Sequence, residues 1–284
     1  MKHSVNSTPV FWRDERLPHL ECRYINDGDR VCYAPHSHVE WSMGVIISGA
    51  SRFCYGEKQY AITQGAQVFI NPDKIHSCNP EPGKQAPWSY IMFYVDAAWL
   101  ATLRYQLGLL EKPVWQDMDV DRDRSPTLTA GAQALVARLV DEHVPVADKE
   151  TAIREYFSTV MQTLSALSPS SGEPKQTPPS TLAALACYLD EHCSEELSLE
   201  TLSDWAGCSS SHLVRSFRRY FGLTPHAYQL NRRIQLGRKA LQKGEPIADV
   251  AYKTGFADQP HFQRAFKQRV AATPGQYLRS SATE

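Results

Sequence analysis

Three histidines in the N-terminal half, His36, His38 and His76, are of a type and spacing that could do chemistry. Three imidazoles could bind zinc, iron or nickel, hydrogen-bond a polar ligand, or make structural hydrogen bonds. Glu40 follows His38 by two residues, so the two side chains share one face of an extended strand. The residues favour a polar ligand pocket and leave a metal site and a structural role open.

A second group of side chains near the C-terminus could contact nucleic acid. Arg215 and Arg264 can each pair bidentately with guanine O6 and N7, and Gln259 or Gln263 can pair with adenine N6 and N7. The chain shows no nucleophile with a paired base, no glycine-rich phosphate loop and no carboxylate pair. The sequence therefore predicts a binding protein without a cofactor, and not an enzyme.

The charge of the chain is divided between its two parts. The net charge is −1, but residues 205–279 hold 13 basic and 3 acidic side chains, a balance of +10. Residues 1–204 hold 17 basic and 27 acidic side chains, a balance of −10. A basic C-terminal third on an acidic body indicates a polyanionic partner for that third.

The C-terminal part contains an internal repeat with an offset of 49 residues. The stretch SHLVRSFRRYFGLTPHAY at 211–228 aligns without a gap to PHFQRAFKQRVAATPGQY at 260–277. The identical pairs include His212 and His261, Arg215 and Arg264, Phe217 and Phe266, Pro225 and Pro274, and Tyr228 and Tyr277. Such a repeat predicts two copies of one structural unit.

The first copy is predicted to be two helices joined by a tight turn. Ser198 can cap a helix that runs to about Ala206, Gly207 can end it, and Ser209 or Ser210 can cap the next one. A core-facing stripe at i, i+4 and i+8 is formed by Leu213, Phe217 and Phe221. The outer side presents Ser211, Val214, Arg215 and Arg218.

The second copy follows the same logic. Pro246 suits a first helical position, Gly255 ends that helix, and Asp258 caps the following one. Its buried stripe is Phe262, Phe266 and Val270. Its outer side presents Gln259, Pro260, Gln263, Arg264 and Lys267. Two helices with a short glycine-containing turn and a basic second helix describe a helix-turn-helix.

A helix is predicted between the two copies, from Thr224-Pro225 to about Lys243, with Gly244 as its end. Nineteen residues would span about 28 Å. That length is close to the roughly 34 Å between successive major-groove faces on one side of B-DNA. One chain could therefore place both second helices in adjacent grooves.

The stretch from Ser210 to Arg279 closely resembles the DNA-binding domain of AraC-type transcription regulators. The most specific part is I-A-D-V-A-x-x-x-G-F-x-D-Q-x-H-F-x-R-x-F-K, which begins at Ile247. The resemblance covers about 100 residues and implies base-edge contacts in two successive major grooves. The residues it implies are Ser211, Val214 and Arg215 in one groove, and Gln259, Gln263 and Arg264 in the next, with Pro260 beside them.

Further basic and polar residues of this part suit phosphate contacts, which fix register without reading sequence. They are Ser210, Arg218, Arg219, Lys239 and Lys267. Val214 can offer only an apolar contact to a thymine methyl group.

The N-terminal part between residues 20 and 95 is predicted to be β-rich. The runs SMGVII, RFCYG, QYAI, AQVFI and YIMFYV are rich in aromatic and β-branched residues and are separated by Gly, Asn and Pro. The stretches PHSHVE and GAQVFINPDKIHSCN resemble the two motifs of a cupin, a double-stranded β-helix barrel that commonly precedes the AraC-type domain. His36, His38 and His76 match the metal positions of cupin enzymes.

The cupin pattern departs at one point, because Ser42 and Met43 stand where a glutamate ligand is expected. A complete site of three histidines and one glutamate is therefore not predicted, and no metal is assigned. The predicted effector pocket is instead lined by polar and aromatic residues. They are His36, His38, Glu40, Trp41, Tyr55, His76, Trp88 and Tyr94.

Helical periodicity follows at 126–143 and 148–166. The first stretch has Leu128, Leu135, Leu139 and Val140 on one face. The second has Ile153, Phe157, Val160, Met161 and Leu164 on one face. These helices could pack on the barrel or form a dimer seam, and the family resemblance favours a homodimer. A Ser-, Pro- and Gly-rich segment at 167–180 predicts a flexible linker.

The predicted fold class is thus multidomain α+β. Residues 1–166 form a cupin-like sensor domain with a helical segment at 126–166, and residues 181–284 form an all-α DNA-binding domain with two helix-turn-helix motifs. Seven scattered cysteines and the lack of a long apolar run predict a cytoplasmic protein.

The predicted function is transcription regulation, as an activator that binds promoter or operator DNA, responds to a small-molecule effector and contacts RNA polymerase. The alternative is a metal-dependent cupin enzyme or metal sensor fused to a DNA-binding module.

Overall fold

Residues 9–26, 28, 32–80, 88–168 and 177–279 are described by a computed structural model. The chain divides into two units. One unit is formed by Met1–Cys32, His38–Gly172 and Arg279–Glu284, and the other by Tyr33–Ser37 and Glu173–Leu278. The predicted linker at 167–180 lies mostly outside the described residues, because 169–176 are not among them. The predicted domain boundaries stay predictions.

The described part of the first unit is rich in antiparallel β-structure. Its strands are β1 (Val10–Trp12), β2 (Leu20–Ile25), β3 (Trp41–Ser48), β4 (Ala50–Tyr55), β5 (Lys58–Thr63), β6 (Gln67–Ile70), β7 (His76–Pro80), β8 (Ser89–Val95) and β9 (Arg122–Asp123). They form a six-stranded sheet of order β1-β2-β8-β3-β6-β9 and a three-stranded sheet of order β5-β4-β7. The five predicted strands are all present, which confirms the β-rich N-terminal part.

A tight hairpin joins β4 to β5 and shows how the sequence sets the strand register. Tyr55 pairs with Lys58, so only two residues form the loop. The first of them, Gly56, has a φ of 58°. Two-residue hairpin loops commonly need such left-handed backbone, which glycine adopts without a steric penalty.

Three helices cover one face of the six-stranded sheet. They are α1 (Ala97–Gln106), α2 (Pro126–Val140) and α3 (Val146–Leu167). The shared core joins sheet residues such as Trp41 and Phe93 to helix residues such as Phe157, all of them fully buried. The predicted stripe of α3 is confirmed, since all five of its residues are 0–1% exposed.

The predicted stripe of α2 is wrong at one residue. Leu128, Leu135 and Leu139 are buried, but Val140 is 52% exposed. Adjacent helical side chains point about 100° apart. Because Leu139 faces the core, the side chain of Val140 points away from it. Asp141 then leaves the helix in an extended conformation, and α2 ends before the predicted residue 143.

The described part of the second unit is helical apart from its turns and the segment Tyr33–Ser37. Its helices are α4 (Ser180–Glu191), α5 (Leu199–Trp205), α6 (Ser210–Phe221), α7 (Pro225–Gln242), α8 (Ile247–Lys253), α9 (Gln259–Val270) and α10 (Pro274–Leu278). Together with the β-rich first unit, these helices confirm the predicted α+β class. Closure of the strands into a cupin barrel stays a prediction.

The segment Tyr33–Ser37 belongs to this second unit by its own hydrogen bonds. The Ser37 amide donates to Asn231 Oδ1 over 3.3 Å, and Asn231 Nδ2 donates to the Ser37 carbonyl over 3.2 Å. Gln235 Nε2 donates to the same carbonyl over 2.8 Å. Asn231 and Gln235 are buried, so this pairing satisfies amide groups that would otherwise cost free energy.

Among the described residues, no helix combines the length and the apolar character that crossing a bilayer requires.

Candidate nucleic-acid interface

Helices α5 and α6 form the first helix-turn-helix. Ser198 Oγ accepts from the Thr201 amide over 3.0 Å and caps α5. Gly207 ends that helix with a φ of 63°. Ser209, not Ser210, caps α6 by accepting from the His212 amide over 3.3 Å. The predicted helices, turn and caps are therefore confirmed.

Helices α8 and α9 form the second helix-turn-helix. Asp258 Oδ1 accepts from the His261 amide over 2.6 Å and caps α9, and Gly255 lies in the turn with a φ of 79°. The prediction for Pro246 is off by one position, because this residue is the N-cap of α8 and not its first helical residue. At either position proline costs no intrahelical hydrogen bond, because the first amides of a helix have no acceptor within the helix.

The inner faces of α6 and α9 hold each second helix against its own core. Leu213, Phe217, Phe262 and Phe266 are 0% exposed. Phe221 is only half-buried and stacks on Phe217 with ring centroids 4.5 Å apart. The periodicity thus gave the correct inner face for both helices, which fixes the outer face that solvent or DNA can reach.

The outer face of α6 presents three arginines. Arg215, Arg218 and Arg219 are exposed together with Ser211, whereas Val214 is half-buried. The Ser210 hydroxyl lies 2.8 Å from the Ser203 hydroxyl of α5, at the contact between the two helices. That hydroxyl is therefore engaged within the motif.

The outer face of α9 presents a similar set one repeat further along the chain. Gln259, Pro260, Arg264 and Lys267 are exposed, and Gln263 is half-buried. Lys239 is exposed on α7. Every predicted readout and phosphate residue thus has at least partial access to solvent, as a residue that contacts DNA requires.

The two motifs are joined by α7, which contains 18 residues. At 1.5 Å per residue this helix is about 27 Å long. Thr224 caps it by accepting from the Ala227 amide over 3.3 Å, and Gly244 follows its end with a φ of 79°. The continuous spacer predicted between the copies is confirmed.

In the first unit, His38 is a buried imidazole with both ring nitrogens engaged. Its Nδ1 lies 2.8 Å from the Glu40 carbonyl, to which it can only donate, and its Nε2 lies 3.2 Å from Ser42 Oγ. Nδ1 therefore carries a proton, and Nε2 faces a hydroxyl that can donate or accept. The Glu40 carboxylate is 4.0 Å from Nδ1.

Three further predicted pocket residues gather around His38. The rings of His76 and Tyr94 lie 4.8 Å and 5.1 Å from it, both edge-on. Tyr55 pairs with His76 across β4 and β7, and its hydroxyl accepts from the Asn71 amide over 3.3 Å. We call His38, Ser42, Tyr55, His76 and Tyr94 the imidazole cluster.

Burial controls the protonation of this cluster. His76 donates from Nδ1 to the Lys74 carbonyl over 2.9 Å, yet its complete burial lowers the pKa of the imidazole to about 4. Burial likewise raises the pKa of Tyr55 to about 12. At neutral pH the His76 imidazole and the Tyr55 phenol are therefore uncharged.

Two further predicted pocket residues, His36 and Trp41, make contacts of other kinds. His36 belongs to the segment Tyr33–Ser37, where it stacks on Tyr33 with ring centroids 5.1 Å apart and bonds the Ala34 carbonyl. Trp41 packs in the helix-facing core against Phe157.

Trp88 also lies outside the cluster. It stacks on Tyr90 with ring centroids 4.5 Å apart. Tyr90 is four residues, or about 13 Å, along β8 from Tyr94. The structure thus gathers His38, Tyr55, His76 and Tyr94, with Glu40 at their edge, and leaves Trp41 and Trp88 apart.

Both ring nitrogens of His38 lie within hydrogen-bond distance of protein atoms. Within the part of the chain that the structure describes, no group of three or more His, Cys, Asp or Glu side chains could hold a metal ion.

Strand β2 adds two buried charged residues that the sequence analysis missed. Glu21 pairs with Tyr94 and Arg23 with Met92, so both lie on the Tyr94 face of the six-stranded sheet. Arg13 Nε donates to Glu21 over 2.6 Å, and the Arg23 guanidinium lies 5.2 Å from the Phe11 ring centroid. The alternation of LECRYI could have revealed them, since its polar positions fall on one face.

Two helix-turn-helix motifs with exposed basic second helices, joined by one helix and accompanied by a β-rich unit, define a DNA-binding regulator class. Residues 202–280 match the family described as "Helix-turn-helix domain", and residues 18–154 match "AraC-like ligand binding domain". An uncharacterized HTH-type transcriptional regulator of Bacillus subtilis (strain 168), YbfI, is 30% identical over 263 residues, which cover 90% of each chain. The chain belongs to the AraC family of transcriptional regulators.

Other relatives share a shorter region. The transcriptional activator RhaS from Enterobacter sp. (strain 638) is 34% identical over 94 residues, 33% of this chain and 34% of the relative. The right origin-binding protein of Escherichia coli (strain K12) is 38% identical over 97 residues, 34% of each chain.

Solved structures of ToxT from Vibrio cholerae resemble the whole chain. The O395 structure has a TM-score of 0.54 at 13% identity and covers 97% of this chain and 98% of its own. At that identity the likeness shows the two-domain fold alone. With the family membership, it describes a DNA-binding regulator that carries an effector-binding domain.

Proposed function

We propose that the chain binds a bipartite DNA site, with α6 in one major groove and α9 in the next. The observation that carries this proposal is the pair of capped helices whose outer faces expose equivalent arginines, Arg215 and Arg264, at either end of one continuous helix. Base contacts are assigned to Ser211, Val214 and Arg215 in α6, and to Gln259, Pro260, Gln263 and Arg264 in α9.

Phosphate contacts are assigned to the basic residues around these faces. Arg218, Arg219, Lys239 and Lys267 are exposed and can neutralise backbone charge without reading bases. Ser210 acts through its backbone amide at the N-terminus of α6, because its hydroxyl is engaged with Ser203. Amides at helix N-termini bind anions well.

The effector is a small polar molecule bound at the imidazole cluster. Neutral imidazole, hydroxyl and phenol groups suit a ligand with hydroxyl or amide groups better than a charged one. An unsaturated fatty acid is bound in a ToxT structure from Vibrio cholerae strain SCE256. A long apolar chain would find few partners among the polar groups gathered here.

The proposal extends to the assembly and the outcome of binding. The chain acts as an activator in the cytoplasm, pairs as a homodimer through α2 and α3, contacts RNA polymerase and carries out no catalysis. Half-exposed apolar residues of these two helices, Val140 and Leu167, support the dimer seam.

Selection of sites from a random-sequence DNA library with the full chain tests the DNA-binding proposal. The expected product is a motif of two conserved blocks separated centre to centre by about one helical turn of 10–10.5 bp. A single conserved block, or no enrichment, would contradict it.

A further inference from the structure

Arg233 of α7 hydrogen-bonds both to the segment that precedes the first helix-turn-helix motif and to the turn of the second motif. Its Nε donates to the Cys193 carbonyl over 2.6 Å, and its Nη2 donates to the Glu195 carbonyl over 2.8 Å. Both carbonyls lie between α4 and α5. Its Nη1 donates to the Gly255 carbonyl, in the turn between α8 and α9. We call helices α4–α6 the first module and helices α8–α10 the second module.

The chemistry of the guanidinium suits this bridging position. Its donors are fixed in a planar fork, so one side chain can bind carbonyls on two sides at once, which an ammonium group cannot match. The carbonyls follow the C-terminal ends of α4 and α8, where the helix dipole adds partial negative charge. The guanidinium also lies 5.9 Å from the ring centroid of Phe256, in the second module.

The backbones of the two modules are in direct contact beside Arg233. A Cβ added at Gly255 would lie 2.0 Å from the Ser194 carbonyl oxygen, so only glycine fits there. The equivalent turn residue of the first motif, Gly207, has no heavy atom within 4 Å of such a Cβ. The close approach is therefore a property of the junction between the modules and not of the turn itself.

Gln229, one helical turn before Arg233, strengthens the first half of the bridge. Its Nε2 donates to the Cys193 carbonyl over 3.1 Å and to the Glu195 carbonyl over 2.7 Å. The segment between α4 and α5 is thus held on α7 by two side chains. Only Arg233 of these two continues to the second module.

We propose that Arg233 is a positioning residue that fixes the separation and relative orientation of recognition helices α6 and α9. It contacts no base and acts through the backbone of both modules. The proposal rests on the proposed function, in which the modules read adjacent grooves. A rigid junction holds the second module at its groove once the first module is bound, but only for one spacing of the two DNA blocks. A loosened junction lowers the effective concentration of the second module at that groove.

The test compares full-chain variants on four duplexes derived from the best site selected by the wild-type protein. The duplexes carry both blocks, the first block alone, the second block alone, and both blocks with one base pair inserted between them. Arg233→Met removes the bridge. Arg232→Met is the matched control, because it removes the same charge from the same helix, at a residue that pairs over 2.6 Å with Asp190 of α4 in the first module.

Arg233→Met is expected to lose at least about tenfold in affinity for the two-block duplex, with little change on either single block. The penalty for the inserted base pair should shrink, because a loosened junction tolerates the wrong spacing. Arg232→Met should keep the wild-type penalty. Equal losses on all four duplexes, or an unchanged insertion penalty, would overturn the positioning role.

A second pair of variants keeps the proposal testable if Arg233→Met fails to fold. Gly255→Ala adds both backbone strain and the clash with Ser194, whereas Gly207→Ala adds backbone strain alone. Gly255→Ala and, more mildly, Arg233→Lys should weaken the discrimination between correct and wrong spacing, whereas Gly207→Ala should not. An equal effect of Gly207→Ala would show that the proposal is wrong. A wild-type protein without preference for two blocks would instead refute the proposed bipartite site.

Discussion

At the scale of single residues, Arg215 and Arg264 occupy equivalent places in the two copies of the repeat. Each lies on the outer face of a helix whose opposite face is fully buried, so its guanidinium can reach a groove without disturbing the core. An arginine that pairs bidentately with guanine distinguishes this base from the others, whereas Lys267, on the same helix as Arg264, suits a phosphate.

Arg264→Ala is expected to lose about 1–3 kcal/mol of binding free energy on the selected site and to relax base preference at one position. Lys267→Ala is the matched control, because a lost phosphate contact weakens binding to any sequence and reduces the salt slope by about one. Fluorescence anisotropy on the selected and a scrambled duplex measures both. Equal losses on the two duplexes would refute base readout by Arg264.

His76 gives the first unit a dependence on pH. Burial lowers the pKa of its imidazole to about 4, from 6.5 in the unfolded chain. The unfolded state therefore binds a proton at a higher pH, and stability present above pH 6.5 is lost as the pH falls toward 4. The shift corresponds to roughly 3 kcal/mol.

His76→Gln should flatten the fall in unfolding free energy between pH 6.5 and 4. The same substitution at His143, an exposed loop residue, should leave it unchanged. Urea unfolding across this range, followed by tryptophan fluorescence, is the measurement. An unaltered pH dependence in His76→Gln would assign the effect to other groups.

Residues whose role depends on helical period were predictable, and residues whose role depends on a distant partner were not. The outer faces of α6 and α9 followed from spacing alone. The sequence predicts a phosphate contact for Ser210, but spacing does not reveal that its hydroxyl lies 2.8 Å from the Ser203 hydroxyl of the preceding helix. Trp41 was assigned to the pocket, but strand alternation turns it to the face that packs on Phe157.

At the scale of elements, the two recognition helices end differently. The residue that follows each helix has a left-handed backbone. It is Gly222 after α6, with a φ of 72°, and Ala271 after α9, with a φ of 50°. Left-handed backbone costs a residue with a Cβ roughly 1 kcal/mol more than glycine. The second recognition helix therefore carries a strain that the first does not.

Ala271→Gly is expected to stabilise the protein by up to about 1 kcal/mol, since relief of the strain exceeds the added freedom of the unfolded chain. The reverse substitution, Gly222→Ala, should destabilise it by about 1 kcal/mol. Chemical unfolding monitored by circular dichroism measures both. Stabilisation by Gly222→Ala, or marked destabilisation by Ala271→Gly, would contradict the strain argument.

Elements with a clear apolar pattern were predictable, and those without one were missed. Strand β2 contains the buried charges Glu21 and Arg23, and β7 consists of HSCNP, so neither has the composition of a typical strand. Helix α1 directly follows β8 after one residue, Asp96, whose side chain caps it. Asp96 interrupts the apolar residues of β8 and α1, so it was a usable signal for the start of a helix.

At the scale of the whole molecule, the division of charge and the division into units agree in part. The basic C-terminal third contains α6, α7 and the second helix-turn-helix motif. The segment Tyr33–Ser37 belongs to the second unit, because Ser37 hydrogen-bonds to Asn231, which lies 194 residues further along the chain. No local pattern predicts a contact over such a distance, because its partners are brought together only by the folded chain.

Methylation interference at guanine N7 on the selected duplex tests most directly whether two helices of one chain read two grooves. The expected result is two clusters of interfering guanines about one helical turn apart. Arg215→Ala should abolish sensitivity in one cluster and Arg264→Ala in the other, because each arginine is proposed to contact guanine N7. A single cluster, or loss of the same cluster in both variants, would contradict the account.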